Sequence, residues 1–443
     1  MRAYLRYLLT IGLLTIGLTV GWLFATIAYA TLGYAEYRLT VPVFGQLALI
    51  GLLNSAPVLA GGVSGPFAWQ VVRQWGARPA LLLGCLLHGL ALLTLAFASP
   101  ATTLTPITAW LLVLGVACSG PASVLFNLAG PPLMMQLGDT NGPDRLFARS
   151  AALSLIIGGL ANLLAGSLAT AWRVVLGESD AIAPYRLNAT LSAVVVALAG
   201  LPLLGLRLAS ARSPAPATTI RREISDLWRA LAKAIIFAPG PLLISLGAAL
   251  FIPYLGLFFR QRFTATDAVI GLLFALISLT TGLATLVGPR LAARVGRMQG
   301  VVLTQALAIP CLIALAFAPA LPVAALIAML RGALMNMATP LFEAHALAQT
   351  PPEHHPTVIG LIRAAASVGY LAGPTISAEL QSAVGFTPIL LIAALCYTLA
   401  VMVNAVIFVW RGQRISYWRR TAVRRYSAVI CLPARITGIL ATD

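Results

Sequence analysis

The sequence predicts an all-α polytopic membrane protein with twelve transmembrane helices arranged as two six-helix halves. Three observations lead to this prediction. Of the 443 residues, 60% are hydrophobic and 9% are charged, whereas a soluble domain carries about 25% charged residues. Apolar runs of roughly 20 residues, the length needed to cross a bilayer core, recur along the whole chain. A basic motif around residue 76 returns around residue 296, which divides the chain into two related parts.

The apolar runs and their breaks predict twelve helices, called spans 1 to 12. They lie near residues 8–33, 43–66, 79–98, 107–136, 146–171 and 187–206, and then near 235–258, 268–292, 300–318, 320–345, 357–381 and 385–410. The first run continues to about residue 32, too long for the core of a signal peptide, so we interpret it as a retained helix. The chain is therefore expected to divide into an N-terminal half (1–206), a linker (207–234), a C-terminal half (235–410) and a basic tail (411–443).

The basic residues are distributed unevenly between the two sides of the expected membrane. Of the 29 Lys and Arg residues, 22 fall in the termini, the linker and the connections on their side, and five fall in the opposite connections. Cytoplasmic connections carry such an excess, so we expect an integral protein of the bacterial plasma (inner) membrane with both termini cytoplasmic. The net charge of +17 follows from this sorting. It does not indicate nucleic-acid binding, which requires a basic patch on a folded soluble face.

The linker and the tail are the two places where a lipid partner is expected. In the linker, Ile220, Ile224, Leu227, Trp228 and Leu231 share one helical face opposite basic residues. This pattern suits a helix on the membrane surface, and a solvated linker helix explains it equally well. The tail carries seven Arg residues. It either lies on anionic lipids or is a disordered segment that only sets the topology.

Metal-binding, disulfide and enzymatic functions are not indicated. The five cysteines have no paired spacing, and four lie in apolar segments, where Cys acts as a small hydrophobic residue. The stretch EHHP at residues 353–356 lacks the ligand spacing of a zinc site, and no glycine-rich phosphate loop is present in the sequence. We therefore predict no cofactor and no enzymatic activity.

Two basic hairpins mark an internal repeat. VVRQWGARPALLL (residues 71–83) lies between spans 2 and 3, and LAARVGRMQGVVL (291–303) lies between spans 8 and 9. Their shared pattern is a glycine flanked by arginines: Arg73, Gly76 and Arg78 in the first, Arg294, Gly296 and Arg297 in the second. Two six-helix halves in parallel repeat are typical of transporters that rock about a site near the bilayer midplane.

The chain resembles the major facilitator superfamily over nearly its whole length. Its hairpin motif is matched at Gly76, Arg78, Arg294, Gly296 and Arg297, and further likeness lies in LISLGAALFIPYLGLFF of span 7, MLRGALMNMATPLFEAHAL of span 10 and GYLAGP of span 11. The resemblance implies a secondary transporter that works by alternating access, and we expect a monomer. Neither hairpin carries the family's acidic residue, which is thought to help latch the cytoplasmic gate. Leu114 stands where proton antiporters of the family carry Arg in span 4, which puts proton-for-drug exchange in doubt.

Arg331 is the first candidate for a substrate-binding residue. It lies about eleven residues into span 10, hence near the bilayer centre, where a charge costs at least about 2.5–3.5 kcal/mol on insertion scales. It either attracts an anionic or hydrogen-bonding group of the substrate or binds backbone carbonyls at a helix crossing. Gly332, Asn336, Thr339 and Glu343 form one polar face of the same span, which either lines a cavity or bonds to packed helices.

The other cavity candidates are hydroxyl, amide and aromatic side chains. One face of span 1 carries Thr15, Thr19, Trp22, Thr26 and Tyr29. The first helix of each half lines the cavity in the family, although membrane threonines also bond to their own backbone. Further candidates are Asn127 in span 4, Asn162 in span 5 and Tyr254 in span 7.

Candidates for gating and for proton coupling are few. Glu343 and Arg363 are predicted to be level near the cytoplasmic side, where a pair that breaks on opening would act as a gate. Proton coupling needs a titratable group, and the sequence offers Glu36, Glu343 and Glu379 at span ends and a lone His88 inside span 3. Facilitated diffusion and coupling through the charge of the substrate stay open.

The function expected from the sequence is transport of a small solute between the two halves. The apolar faces with scattered hydroxyls and amides favour efflux of an amphipathic or drug-like compound. Uptake of a sugar or an organic acid is the alternative within the same class. A non-transporting membrane sensor or scaffold on the same fold is the alternative from another class.

Overall fold

The structure, a computed structural model, describes residues 2–42, 44–137, 143–177, 180–205, 235–350 and 355–410. The linker and the basic tail, with the lipid contacts predicted for them, lie outside the described residues. Within the described residues, eleven helical segments are long and apolar enough to cross a membrane, and a twelfth candidate is a pair of helices bent by 57°. The prediction of a helical polytopic membrane protein is confirmed, with twelve spans when the bent pair counts as one.

The helices follow the predicted order of spans. In the N-terminal half they are Arg2–Trp22 with Ala25–Thr31, Leu49–Trp75, Ala77–Ala96, Pro106–Ala117 with Ser119–Leu137, Pro143–Leu176, and Ala183–Leu198 with Leu201–Leu204. In the C-terminal half they are Pro239–Phe251 with Leu255–Phe263, Asp267–Val295, Arg297–Ala316, Leu321–Ala348, His355–Val384, and Phe386–Asn404, which continues as a π-helix over Ala405–Trp410. Short 3₁₀ turns occur at Ala101–Thr103, Ile235–Phe237 and Ile252–Tyr254.

A β-hairpin precedes span 2, where the sequence predicted helix from residue 43. Strand β1 (Arg38–Val41) pairs antiparallel with strand β2 (Gly45–Ala48), and the helix begins only at Leu49. The prediction was wrong here because it counted apolar content and ignored two breakers. Pro42 between the strands has no N–H to continue a helix, and Gly45 has a φ of 77°. Span 2 also continues to Trp75 rather than residue 66, with its bend at the Gly65–Pro66 step.

The two basic hairpins are helix-to-helix junctions of a single glycine. Span 2 ends at Trp75 and span 3 begins at Ala77, with Gly76 between them at φ 86° and ψ 173°. Gly296 joins spans 8 and 9 in the same way, at φ 95° and ψ 155°. This conformation is open to Gly and strained for residues with a Cβ. We call the end of the molecule with these two turns the hairpin end and the opposite end the far end.

Gly76→Ala is expected to lower the free energy of unfolding by about 1–3 kcal/mol, because alanine would be forced into a backbone conformation that is essentially restricted to glycine. The readout is the melting temperature of the detergent-solubilised protein. Gly62→Ala is the matched control, because Gly62 lies inside the span 2 helix and a methyl group there would meet no atom within 4 Å. An equal loss in both variants would contradict the argument.

Packing between the two halves uses mainly two pairs of spans, and the end of span 1 also contacts span 7. Span 5 packs on span 8, and span 2 packs on span 11. Within the N-terminal half, span 1 packs on spans 5 and 6, and span 4 on spans 2 and 3. Within the C-terminal half, span 7 packs on spans 11 and 12, and span 9 on spans 10 and 12.

Candidate substrate cavity

The central cavity lies between the halves and has a volume of about 500 Å³. Spans 1, 2, 3, 4, 5, 7 and 8 all contribute to its wall. Its polar and aromatic lining includes Thr19, Trp22, Thr26, Tyr29, Asn54, His88, Ser119, Ser123, Asn162 and Phe274. Four of the residues predicted to form the cavity, namely Thr19, Trp22, Thr26 and Asn162, are brought together here. The residues that line it carry hydroxyls, amides, aromatic rings and one imidazole, and no Arg, Lys, Asp or Glu.

Several polar groups in this cavity have capacity to bind a ligand. The Asn162 side chain donates one N–H to the Ser278 hydroxyl at 3.2 Å, which leaves its carbonyl oxygen free as an acceptor among the described residues. The Asn54 carbonyl oxygen receives only a long bond of 3.4 Å from Thr26. The Thr19 hydroxyl makes no hydrogen bond with described residues, whereas the Thr15 hydroxyl donates to its own helix at the Ile11 carbonyl. Of these threonines of span 1, Thr19 therefore lines the cavity with a hydroxyl that is free among the described residues, and Thr15 bonds to the backbone of its own helix.

His88 lies at the wall of the central cavity with a side chain that is 4% exposed. Its Nδ1 has no hydrogen-bond partner in the described part of the chain, and its ring lies 6.1 Å from that of Phe126. One ring nitrogen of His88 is therefore left without a described partner beside the cavity.

Asn127 lines a second cavity of about 580 Å³ between spans 2 and 4 on one side and span 11 on the other. Pro57, Ser119 and Ser123 line both this side cavity and the central cavity, so the two spaces adjoin. The side cavity includes Gly61, Gly62 and Val63 of span 2, which lie toward the hairpin end. It forms a path from the central cavity in that direction.

Arg331 and Asn336 line a third cavity, called the C-half pocket, of about 230 Å³. Ile252 borders both this pocket and the central cavity. Asn336 donates to the Gly332 carbonyl at 2.9 Å. Further residues that line the pocket are Ser245, Gln305, Thr339, Glu343, Arg363, Tyr370, Tyr397 and Asn404.

Arg331 is 7% exposed and is held by neutral groups. One terminal nitrogen donates to the Tyr397 hydroxyl, and the guanidinium carbon lies 4.5 Å from the centre of the Phe251 ring. Its Nε has no partner in the described part of the chain, and no carboxylate there forms an ion pair with it. The alternative in which Arg331 binds backbone carbonyls finds no such bond among the described residues.

Glu343 and Arg363 are level, as the sequence predicted, with 2.8 Å between carboxylate and guanidinium. The contact is an ion pair without hydrogen-bond alignment. Because the Arg363 side chain is 66% exposed, water screens the attraction and its contribution is about 0–1 kcal/mol. Both residues belong to the C-terminal half, so breaking this pair would not by itself separate the two halves. Their role as a gate stays a prediction.

Tyr254 was predicted to line the cavity by its symmetry with span 1. The structure places it outside the three cavities described here, with 1% of its surface exposed. Its hydroxyl donates to the Pro374 carbonyl at 2.8 Å. In this position Tyr254 ties span 7 to span 11.

The hairpin arginines lie around the two turn glycines. Arg73, Arg294 and Arg297 are exposed and Arg78 is partly buried. An Arg297 nitrogen lies 3.5 Å from the Ala344 carbonyl at the end of span 10. Their proposed part in gating remains a prediction from the sequence.

A buried carboxylate at the far end, Asp267, was missed by the sequence analysis. It is 3% exposed and begins span 8. Arg173 of span 5 donates to it at 2.6 Å, Tyr185 of span 6 at 2.9 Å, and Arg260 of span 7 completes the group. We call these four residues the far-end cluster. It joins the N-terminal half, through Arg173 and Tyr185, to the C-terminal half, through Asp267 and Arg260.

A second link at the far end connects the β-hairpin to span 11. Arg38 forms an ion pair with Glu379 at 3.0 Å, and the backbone N–H of Ala48 donates to the same carboxylate at 2.7 Å. One helical turn farther in, the Ser55 and Thr375 hydroxyls are 3.0 Å apart. These contacts close span 2 against span 11 at the far end.

The halves touch backbone to backbone at the far end and approach each other less closely toward the hairpin end. A methyl group on Gly271 of span 8 would lie 2.6 Å from the Asn162 carbonyl oxygen of span 5. Nearer the hairpin end of the same two spans, a methyl group on Gly159 would have 3.8 Å to its nearest neighbour. On span 2, a methyl group on Gly51 would be 2.7 Å from Thr375, whereas one on Gly62 would meet nothing within 4 Å. Among the residues whose side chains are described, the halves are therefore tightly closed at the far end and more loosely packed toward the hairpin end.

Comparisons with known proteins agree with this architecture. Residues 237–428 match the family model of the Major Facilitator Superfamily. A crystal structure of the nucleoside transporter NupG has a TM-score of 0.70 at 16% identity, with 93% of this chain and 100% of that chain covered. A D-xylose-proton symporter has a TM-score of 0.66 at 15% identity, with 92% and 97% covered. An inward open structure of the xylose transporter XylE from E. coli has a TM-score of 0.66 at 13% identity, with 91% and 96% covered.

A comparison with curated proteins finds no significant sequence match. The family match covers the C-terminal half and the first part of the tail, and the solved structures share the fold of nearly the whole chain. The resemblance inferred from the hairpins, span 7, span 10 and span 11 is confirmed.

Proposed function

We propose that this chain is a transporter of the major facilitator type, which its family match and fold support, and that it carries a small ring-containing solute with hydroxyl or amide groups. The observation that carries the proposal is the central cavity between the halves. It presents neutral hydrogen-bonding groups beside the aromatic rings of Trp22 and Phe274, a combination that favours a flat amphipathic ligand. Nucleosides and D-xylose, the solutes named for two proteins of the same fold, are ring molecules that carry hydroxyl groups.

The proposed cycle alternates between two closures. In the state described here, the far-end cluster and the Arg38–Glu379 pair close one side, and the side cavity leads toward the hairpin end. If the hairpin end is cytoplasmic, as the distribution of basic residues predicts, this is the inward-facing state. The opposite state requires these far-end contacts to break and the halves to meet at the hairpin end.

Transport in reconstituted proteoliposomes tests the proposal. Vesicles loaded with unlabelled solute are diluted into labelled solute, and accumulation by exchange is followed for nucleosides, sugars, aromatic compounds and amphipathic dyes. Exchange of at least one class, absent from protein-free vesicles, supports a carrier. Correctly folded protein that exchanges none of them would favour the scaffold alternative. The efflux direction remains a prediction. Transport measured with the protein inserted in each of its two orientations would distinguish efflux from uptake.

Imposing a pH gradient in the same vesicles tests proton coupling. Among the acids predicted for this role, Glu343 and Glu379 are held in ion pairs and Glu36 is exposed. Asp267 and His88 are the more deeply buried titratable groups, and Asp267 connects the halves. Gradient-driven accumulation that disappears in Asp267→Asn, while the exchange that this variant retains no longer responds to the gradient, would support coupling through this carboxylate. Exchange that ignores the gradient would indicate a facilitator or a substrate-driven exchanger.

Thr19→Val is expected to raise the KM about threefold to tenfold, because it removes one hydrogen bond of about 0.5–1.5 kcal/mol to the solute without changing side-chain shape. The Thr19 hydroxyl makes no bond to described residues, so folding should be unaffected. Thr15→Val on the same face is the control, since the Thr15 hydroxyl is already used by the Ile11 carbonyl at 2.8 Å. Equal KM values in the two variants would place the solute elsewhere.

A further inference from the structure

We propose that the C-half pocket is an anion subsite in which Arg331 binds a carboxylate of the substrate. The inference rests on the proposed function, since it assigns a chemical group to the solute of the same central site. It divides the solute into two parts. The ring body occupies the central cavity, and a carboxylate reaches past Ile252 into the C-half pocket.

The first argument is the charge balance of the pocket. Arg331 and Arg363 are positive and Glu343 is negative, and Glu343 is paired with Arg363. Twelve residues of helix, roughly 18 Å, separate Arg331 from Glu343, so that carboxylate does not compensate Arg331. The pocket therefore holds one uncompensated positive charge inside the membrane-spanning part of the described chain, where charges are costly unless they have a partner.

The second argument is the unfinished hydrogen bonding of Arg331. The side chain is more than nine-tenths buried, and its Nε has no partner in the described part of the chain. The Tyr397 hydroxyl accepts a hydrogen bond from one proton of the terminal nitrogen Nη2, and Phe251 packs on the face of the guanidinium. The other terminal nitrogen, Nη1, makes no hydrogen bond with described residues, so the end of the guanidinium that carries Nη1 and the second proton of Nη2 is left for a ligand. A carboxylate is the group whose two oxygens match an edge of a guanidinium.

The third argument is the set of donors around the same space. The Tyr370 hydroxyl lines the pocket and makes no hydrogen bond with described residues. Gln305 accepts from Asn404 at 3.2 Å, so the N–H groups of Gln305 are unused within the described chain. A volume of about 230 Å³ holds a carboxylate with several attached carbons. A guanidinium, a phenol and an amide N–H together are suited to a planar monoanion.

Arg331→Met is expected to abolish carboxylate preference and to raise the melting temperature of the ligand-free protein. Removing an uncompensated buried charge relieves its desolvation cost, whereas removing a structural link would lower stability. The probes are benzoate with benzamide and nicotinate with nicotinamide, pairs that differ in charge at nearly constant shape. In wild-type protein, the carboxylates should raise the melting temperature and exchange in vesicles at concentrations at least about tenfold below those of the amides.

The controls separate charge from folding and from transport. Arg262→Gln removes one exposed arginine at the far end and should keep the carboxylate preference. Arg331→Lys should retain part of it. Equal responses to carboxylates and amides in wild-type protein, no response to any probe, or an unchanged preference in Arg331→Met would overturn the anion subsite. If neutral solutes are still exchanged in that case, the proposed transport function is retained without the anion subsite. If carboxylates selectively raise the melting temperature but no solute is exchanged, the transport function is contradicted and the anion subsite is supported.

Discussion

Asp267→Asn is expected to open the far end and to reduce transport at least about tenfold. The Asp267 carboxylate receives bonds from Arg173 and Tyr185 across the interface between the halves, and from Arg260 on its own side. Without its charge, two guanidinium groups from opposite halves face each other at the closed end. A hydrogen bond to a charged group contributes about 1.5–3 kcal/mol, and 1.4 kcal/mol shifts an equilibrium about tenfold. The substitution should therefore lower the free-energy difference that favours the state with a closed far end over the state with an open far end.

The readout for this prediction is a cysteine at Thr26 in a background without native cysteines. Thr26 is 9% exposed and lines the central cavity, so a membrane-impermeant thiol reagent added at the far end reaches it only after opening. The modification rate should rise at least about tenfold in Asp267→Asn, the change that loss of about 1.4 kcal/mol of closure would produce. Asp180→Asn is the control, because Asp180 pairs with Arg186 at 3.8 Å within one half. An unchanged rate in Asp267→Asn would show that the cluster does not hold the far end closed.

Gly271→Ala is expected to prevent closure of the far end by a steric mechanism. A methyl group there would meet the Asn162 carbonyl oxygen at 2.6 Å, the Gly166 Cα at 2.8 Å and the Gly166 N at 3.0 Å. All three are backbone atoms, so no side chain can rotate away, and spans 5 and 8 must move apart at this level. Transport should fall at least about tenfold, and the Thr26→Cys reporter should become accessible from the far end.

Gly159→Ala on the same pair of spans is the matched control for Gly271→Ala. Its methyl group would have 3.8 Å to the Ala275 carbonyl, an ordinary contact, so closure and transport should be retained. Gel filtration of both variants checks that the packing within each half is intact. Transport by Gly271→Ala at the wild-type rate would mean that the halves do not need this close approach.

The two far-end substitutions should not be additive. Both act on the same interface, where residues that share partners show coupling energies of about 0.5–3 kcal/mol. Once Gly271→Ala holds the halves apart, Asp267 can no longer reach Arg173, and its removal should add little to the reporter rate. A double variant with fully multiplied effects would mean that the cluster and the glycine contact act in separate steps.

Much of the architecture was readable from local pattern. Membrane spans can be recognised in a sequence because crossing a bilayer core requires about 20 consecutive apolar residues. Eleven of the predicted helices, and span 2 as a bent twelfth, are present in the described chain. Gly76 and Gly296 were recognisable because a lone glycine between apolar runs marks a turn. Arg331 was recognisable because a charge inside a span is costly, whatever surrounds it.

The features that tertiary structure alone decided depend on residues far apart in sequence. Asp267 follows Thr266 at a helix start, where an acid is an ordinary feature of the first turn, and its partner Arg173 had been counted only as a charge that sets topology. The β-hairpin was not predicted because apolar content does not distinguish a strand from a helix over a short run of residues. Tyr254 was placed in the cavity by symmetry, but its hydroxyl donates to the Pro374 carbonyl of span 11.

The sequence was therefore sufficient for the properties set by the bilayer, namely the spans, their order and the expected orientation. These follow from transfer free energies that each segment carries by itself. Which end is closed, and which groups line the cavity, depend on contacts between spans 5 and 8 and between spans 2 and 11. Such contacts depend on the shape and charge of residues that are far apart in the sequence, and no local sequence pattern predicts them. Only the folded arrangement therefore shows that Asp267 and Gly271 lie at the closed far end.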